Sequence, residues 1–262
     1  MNRATEDDEG AGSTLSAVSR VVGVGASAGG LEALQEFLGS LTPDGSAILV
    51  AQHLAPDHPT LLVELLSRAA PFEVEEAVEG SPLRTNIVTV VPPNHDLTLD
   101  GDRLALVAAA ERVGPSPSID LLFESVAQSW GERAVGVVLS GTGSDDARGL
   151  RAIRAAGGLT MVQSPESARF DGMPRAALAL GKPDVVADAG ELGLRLAAFP
   201  TSVGAGDAKL PPVEDDVLPQ VVAQLRRSIG IDFAEYKPST LKRQVQRRMA
   251  VRQIDVISDY VA

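Results

Sequence analysis

The sequence predicts an α/β fold: a doubly wound, mostly parallel sheet with helices on both faces, followed by a small C-terminal all-α segment. Three observations carry that expectation. Short runs rich in valine and isoleucine recur between Val21 and Val162. They are apolar throughout, without the alternation of a strand that is wet on one face, so they fit strands covered on both sides. Between them, apolar residues return at three- and four-residue spacing, as in helices that bury one face.

In chain order, the expected strands are Val21 to Val24, Ala47 to Ala51, Ile87 to Val91, Ala134 to Leu139 and Leu159 to Val162. The expected helices are Leu31 to Leu41, Thr60 to Ala70, Ile119 to Trp130 and Asp146 to Ala156. One segment departs from this rhythm. From Asp96 to Leu106, Leu97, Leu99, Leu104 and Leu106 flank Asp100-Gly101-Asp102, which reads as a β-hairpin on a turn favouring positive φ.

The 262 residues divide into four parts. Residues 1–19 are polar and acidic, with Glu6, Asp7, Asp8 and Glu9, and are expected to be disordered. Residues 20–199 hold the α/β unit. Residues 200–216 are small, polar and proline-bearing and read as a linker. Residues 217–262 carry a helix that ends at a glycine, then Pro238-Ser239-Thr240, where Ser239 is placed to cap a further helix. So short a segment makes a poor independent core, so it is either a small helical subdomain or, as the favoured expectation, the front of a larger helical domain.

The net charge is −12, unevenly spread: residues 1–212 carry 15 basic and 28 acidic side chains, residues 213–262 carry 8 and 7. An acidic body argues against binding nucleic acid or anionic membrane. The tail concentrates Lys242, Arg243, Arg247, Arg248 and Arg252 with no acid between Thr240 and Gln253, a pattern suited to an acidic partner or to a solvated helix face. Cysteine is absent, which excludes thiolate chemistry, so any nucleophile is oxygen or nitrogen. With no targeting segment and no apolar run of spanning length, a cytoplasmic location is the expectation.

The strand Val21 to Val24 leads into Gly25-Ala26-Ser27-Ala28-Gly29-Gly30 and a helix, a G-x-S-x-G elbow in its required context. Small neighbours let a serine sit on a sharp turn, and the free amides of a helix N-terminus favour a developing oxyanion, with Ala28 as the first donor. A phosphate- or dinucleotide-binding turn is the alternative. That alternative needs an acid at the end of the next strand to hold a ribose. Here the strand ends in Ala51-Gln52-His53, so a candidate general base stands where the acid is wanted. The strand Ala134 to Leu139 leads into Ser140-Gly141-Thr142-Gly143-Ser144-Asp145-Asp146, and a carboxylate there can orient the histidine. Asp145 and Asp146 compete for that role, and either can instead be a helix cap. The order Ser, His, Asp is not that of the α/β-hydrolases. His58 and His95 rank lower, as groove-lining candidates. His53 and His58, five residues apart, bracket proline-bearing backbone rather than one helix face, a poor arrangement for a metal, so no metal and no cofactor are expected.

These motifs resemble those of the chemotaxis protein-glutamate methylesterase family, CheB, over Val21 to Phe199. GASAGG resembles its serine motif, AQHL its histidine motif and SGTGSD its aspartate motif. VVPPNHDLTL, SPSIDLLF and DGMPRAAL resemble intervening segments in the same order. The resemblance implies Ser27 as nucleophile, His53 as general base and Asp145 as its orienter, with Ala28 and Thr142 bordering the oxyanion site. The sequence departs in Asp146, where glycine is common, and in Ala28, where threonine is common. The tail GIDFAEYKPSTLKRQVQRRMA resembles the start of the helical domain of the partner methyltransferase, CheR, without its S-adenosylmethionine domain.

The resemblance implies hydrolysis of glutamate 5-methyl esters on methyl-accepting chemoreceptors, and deamidation of receptor glutamines by the same acyl chemistry. It also implies a receiver domain, which the residues before Val21 are too few to form. Two other classes of function compete: a module whose glycine-rich crevice holds a nucleotide, and an idle scaffold that docks receptors through its basic tail.

Overall fold

The computed structural model describes residues 18–53, 61–109 and 115–199, with scattered positions from 213 onward. Its elements are β1 (Val21–Ala26), α1 (Gly30–Gly39), β2 (Ala47–Gln52), α2 (Leu62–Ser67), β3 (Glu73–Glu76), β4 (Ile87–Val90), β5 (His95–Asp100), β6 (Arg103–Ala108), α3 (Ile119–Trp130), β7 (Ala134–Val138), α4 (Ala147–Ala155), β8 (Leu159–Gln163), α5 (Gly172–Leu180), β9 (Val185–Ala187), α6 (Ala189–Ala198) and α7 (Ile257–Val261). The N-terminal arm, most of the linker, the Ser239 cap and His58 lie outside the described residues.

Seven strands form one sheet in the order β3-β4-β2-β1-β7-β8-β9, and every described pairing is parallel. The apolar runs are buried along their whole length in β1, β2, β4, β7 and β8, as two helical layers require. On one face, Val22, Val24, Ile48, Val50, Val135 and Val137 pack with Leu34, Phe37 and Leu38 of α1, Leu62 and Leu66 of α2, and Leu192 and Leu196 of α6. On the other, Val21, Leu49, Val138 and Val162 pack with Ile119, Phe123 and Val126 of α3, Leu150 and Ile153 of α4, and Met173 of α5. The hairpin is β5–β6, antiparallel, with Asp100 opposite Arg103 and Gly101 at φ 63°; its Leu97, Leu99 and Leu104 join that second face.

β3, β9, α5 and α6 have no counterpart in the sequence expectations. β3 reads Glu-Val-Glu-Glu and buries only Val74, and β9 has three residues. Both are edge strands, and edges need no long apolar run.

Beyond β1 the chain builds outward to β2 and β4, then returns past β1 to add β7, β8 and β9 on its other side. The carboxyl ends of β1, β2 and β7 therefore flank the switch in winding direction, where open α/β sheets form their crevice. β1 brings α3 close to that crevice by using glycine: a Cβ on Gly25 would collide with Cγ2 of Ile119. The N-terminus of α3 is thereby held beside the strand ends.

Candidate active site

Ser27 follows β1 directly. Its amide donates to the carbonyl of Ser140 at 3.0 Å, and its carbonyl accepts from the Gly30 amide at 2.9 Å. The turn closes through Gly29 at φ 67°, a conformation that any side chain would strain. Buried Ser140 braces it, donating its hydroxyl to the Ala28 carbonyl at 2.9 Å and accepting from the Phe170 amide at 3.0 Å. The serine turn and the segment after β7 are therefore one hydrogen-bonded unit. Gly141 lies so close that a Cβ there would stand 2.9 Å from Cβ of Ser27.

His53 follows β2, with its amide donating to the Ala26 carbonyl at 3.0 Å. Its Nε2 lies 3.2 Å from Oδ2 of Asp145, and the two side chains are 13% and 14% exposed. Asp145 comes from the loop between β7 and α4. The N-terminus of α3 holds it: the Ile119 amide donates to Oδ2 at 2.9 Å and the Ser118 hydroxyl to Oδ1 at 3.2 Å. Burial works to raise the Asp145 carboxyl, but the hydrogen bonds from His53, Ile119 and Ser118 together outweigh it and hold its pKa below the ordinary value. The carboxylate thus stays charged against the imidazole.

Asp145 and Asp146, open alternatives in sequence, are separated by their surroundings. Asp146 stands at the N-cap position of α4 without a side-chain capping bond. It is fully buried, and neither carboxyl oxygen has a hydrogen-bond partner among the described residues. Burial, with Asp120 and Asp145 nearby, pushes it up to about 8. Such a group is a neutral acid at neutral pH and makes no ion pair with His53.

The amides of Ala28 and Thr142 have no acceptor among the described residues. Thr142 is exposed, in the loop that Gly172 packs against. Phe170 and Arg169 rim the serine turn: a Cβ on Gly29 would lie 3.0 Å from Cδ2 of Phe170 and from Cβ of Arg169. His95 Nδ1 lies 2.9 Å from the Pro93 carbonyl. No group of three or more histidine or acidic side chains among the described residues is placed to hold a metal ion. No described helix is long and apolar enough to cross a membrane. In the tail, Nε of Arg248 lies 3.2 Å from Oδ1 of Asp184, so that cation is engaged within the chain; Arg243, Arg247 and Arg252 lie outside the described residues.

Ser118 and Gln52 belong to this site although the residue patterns do not single them out. Ser118 is the N-cap of α3, its hydroxyl accepting from the Leu121 amide at 3.3 Å, and a serine before a hydrophobic helical run was the available signal. Gln52 donates from Nε2 to the carbonyls of both Ser27 and His53.

Residues 22–196 match the family model described as CheB methylesterase, and residues 217–262 match that described as CheR methyltransferase, all-alpha domain. A protein-glutamate methylesterase/protein-glutamine glutaminase 6 of Anaeromyxobacter dehalogenans is 40% identical over 202 residues, covering 74% of this chain and 56% of that protein. A protein-glutamate methylesterase/protein-glutamine glutaminase of Paraburkholderia xenovorans is 36% identical over 194 residues, covering 72% and 54%. An uncharacterized 104.1 kDa protein of Rhodobacter capsulatus is 35% identical over 226 residues, covering 76% and 23%. The chain thus spans about half the length of the first two and a quarter of the third. In fold, it is similar to the crystal structure of the Thermotoga maritima CheB methylesterase catalytic domain, with TM-score 0.62 and 23% identity over 68% of this chain and 97% of that one. By the match over residues 22–196, the chain belongs to the CheB methylesterase family.

Proposed function

We propose that this protein hydrolyses glutamate 5-methyl esters on chemoreceptors, with Ser27 as nucleophile, His53 as general base and Asp145 as its orienter. The observation that carries the reading is the contact of His53 Nε2 with Asp145 Oδ2 at 3.2 Å, beside the strand end that bears Ser27. Because Asp145 engages Nε2, Nδ1 is the ring nitrogen left to receive a proton. Oγ of Ser27 bonds to the ester carbonyl carbon as its proton passes to Nδ1. The developing oxyanion lies toward the free amides of Ala28 and Thr142. Collapse breaks the carbon–methoxy bond, and the proton on Nδ1 goes to the departing oxygen as methanol. Water then attacks the acyl-serine, giving its proton to Nδ1, and the serine leaves with that proton.

The same acyl chemistry removes ammonia from a glutamine side chain, a second activity supported by the paired names of the relatives. The reading places catalysis in residues 20–199, joined by a linker at 200–216 to a partial helical unit at 217–262. It places the protein in the cytoplasm, in keeping with a cysteine-free sequence. Lys242, Arg243, Arg247, Arg248 and Arg252 are offered to an acidic receptor surface, Arg248 by exchanging its bond to Asp184. Receptor binding that survives tail deletion unchanged would contradict that docking role.

The test is methanol release from methylated receptor by the intact protein and by Ser27→Ala. The reading predicts turnover that the variant loses while remaining folded. Equal turnover by both would overturn it.

A further inference from the structure

Gln52 is the last residue of β2, paired in register with Ala26 of β1. Its side chain is buried. The carboxamide turns across the strand ends and donates from Nε2 to two carbonyls, that of Ser27 at 2.7 Å and that of His53 at 3.0 Å. Both N–H groups of the amide are thereby spent on the residues read above as nucleophile and base. Oε1 is buried without a hydrogen-bond partner among the described residues. It lies against Gly30, where a Cβ would collide with it.

A buried acceptor left without a partner is unfavourable, and an apolar side chain of the same length would avoid it. The amide therefore stands here for its two donors. Glycine at position 30 is what leaves room for it. The main-chain bonds around it fix the turn and the strand separately: Gly30 closes the turn on the Ser27 carbonyl, and the His53 amide binds Ala26. Gln52 alone among these groups ties the Ser27 and His53 carbonyls to one rigid plane.

We propose that Gln52 is a positioning residue that sets the spacing between the Ser27 hydroxyl and the His53 ring through paired hydrogen bonds to their carbonyls. This rests on the reading of Ser27 and His53 as nucleophile and base. Proton transfer demands a near-contact geometry, and a misplacement of about 1 Å costs on the order of 100-fold in rate. Substrate binding does not pass through the Gln52 amide, so the effect falls on kcat.

The test is the rate at which a fluorophosphonate probe labels Ser27, together with kcat and KM on methylated receptor, in wild type, Ser27→Ala, Gln52→Met and Gln52→Glu. Methionine keeps length and burial and removes both donors. The expected result is that wild type is labelled, Ser27→Ala is not, and Gln52→Met falls about 10- to 100-fold in labelling and kcat with KM within about two-fold. In Gln52→Glu the introduced carboxylate faces two carbonyl oxygens, and on protonation it donates to one. Its kcat relative to wild type should therefore rise as pH falls from 8 to 6, and this second variant decides the matter should the first not fold. Wild-type kcat in folded Gln52→Met, or a pH-independent ratio in Gln52→Glu, would overturn the positioning role while labelled Ser27 left the triad intact. An unlabelled wild type would overturn the triad and the positioning role with it.

Discussion

His53 donates through Nε2 to Oδ2 of Asp145 across 3.2 Å, and this bond fixes the tautomer of the ring. A carboxylate accepts only, so Nε2 carries the proton and Nδ1 is free to take one. Asp145→Asn presents an amide that can donate to Nε2 instead and move the proton to Nδ1. The expected loss is about 10³- to 10⁴-fold in kcat with the fold retained. Methanol release and circular dichroism on the same preparation check it.

Asp145 is itself held by Ser118, whose hydroxyl contacts Oδ1 at 3.2 Å while serving as the N-cap of α3. Ser118→Ala removes both interactions. Stability should fall by about 1 kcal/mol, as for other lost N-caps. The kcat should fall further than that change explains, because Asp145 loses one of the bonds that keep it charged. Ser118→Thr retains a hydroxyl and should restore most of both, which urea unfolding and turnover would show.

Gly25 and Ile119 are coupled through space. Gly25→Ala places a methyl group against Cγ2 of Ile119 and should cost about 1–3 kcal/mol in stability. The same push moves the Ile119 amide that binds Asp145, so activity should suffer too. Ile119→Ala removes the obstructing methyl. The double variant should therefore recover activity relative to Gly25→Ala, a non-additive outcome that a double-mutant cycle on kcat and unfolding free energy measures.

Asp146 makes stability depend on pH with a definite sign. Its folded pKa of about 8 lies above the ordinary 3.8, so between these values the unfolded chain releases a proton that the folded protein retains. Stability is therefore greatest at acid pH from this group and declines as pH rises, by up to ~1.4 kcal/mol per pH unit. From pH 5 to pH 7 that is on the order of 3 kcal/mol. Asp146→Asn removes the dependence: its stability relative to wild type should grow from pH 5 to pH 7. Urea denaturation at both values checks it, and a constant difference would contradict the assignment.

How much of this was legible in the sequence follows from where each signal resides. β1, β2, β4, β7 and β8 agree with the expected strands within one or two residues, because a strand buried on both faces writes its apolar run directly into the chain. β3 and β9, at the edges, write almost nothing. α5 opens on Gly-Met-Pro, and α6 carries Gly190 and Gly193, the latter packed on the Phe37 carbonyl, so neither shows an uninterrupted helical pattern. The placing of Ser27 and His53 directly after β1 and β2, and of Asp145 in the loop after β7, was readable because these three strands flank the winding switch. The surroundings of Asp145 and Asp146 were not, since two adjacent carboxylates look alike until α3 binds one and the core encloses the other. Ser118 and Gln52 draw their roles from neighbours in space, 27 residues distant for Ser118 and Asp145, and no local pattern records that.

The central claim is that Ser27, His53 and Asp145 act as one unit on a methyl ester. The direct measurement is kcat for methanol release from methylated receptor in Ser27→Ala, His53→Ala, and the triple variant that adds Asp145→Ala to both. A working triad predicts that each single loss of Ser27 or His53 costs about as much as the triple loss, on the order of 10⁶-fold or to the detection limit. Losses that multiply independently, or turnover that persists without Ser27, would contradict the claim.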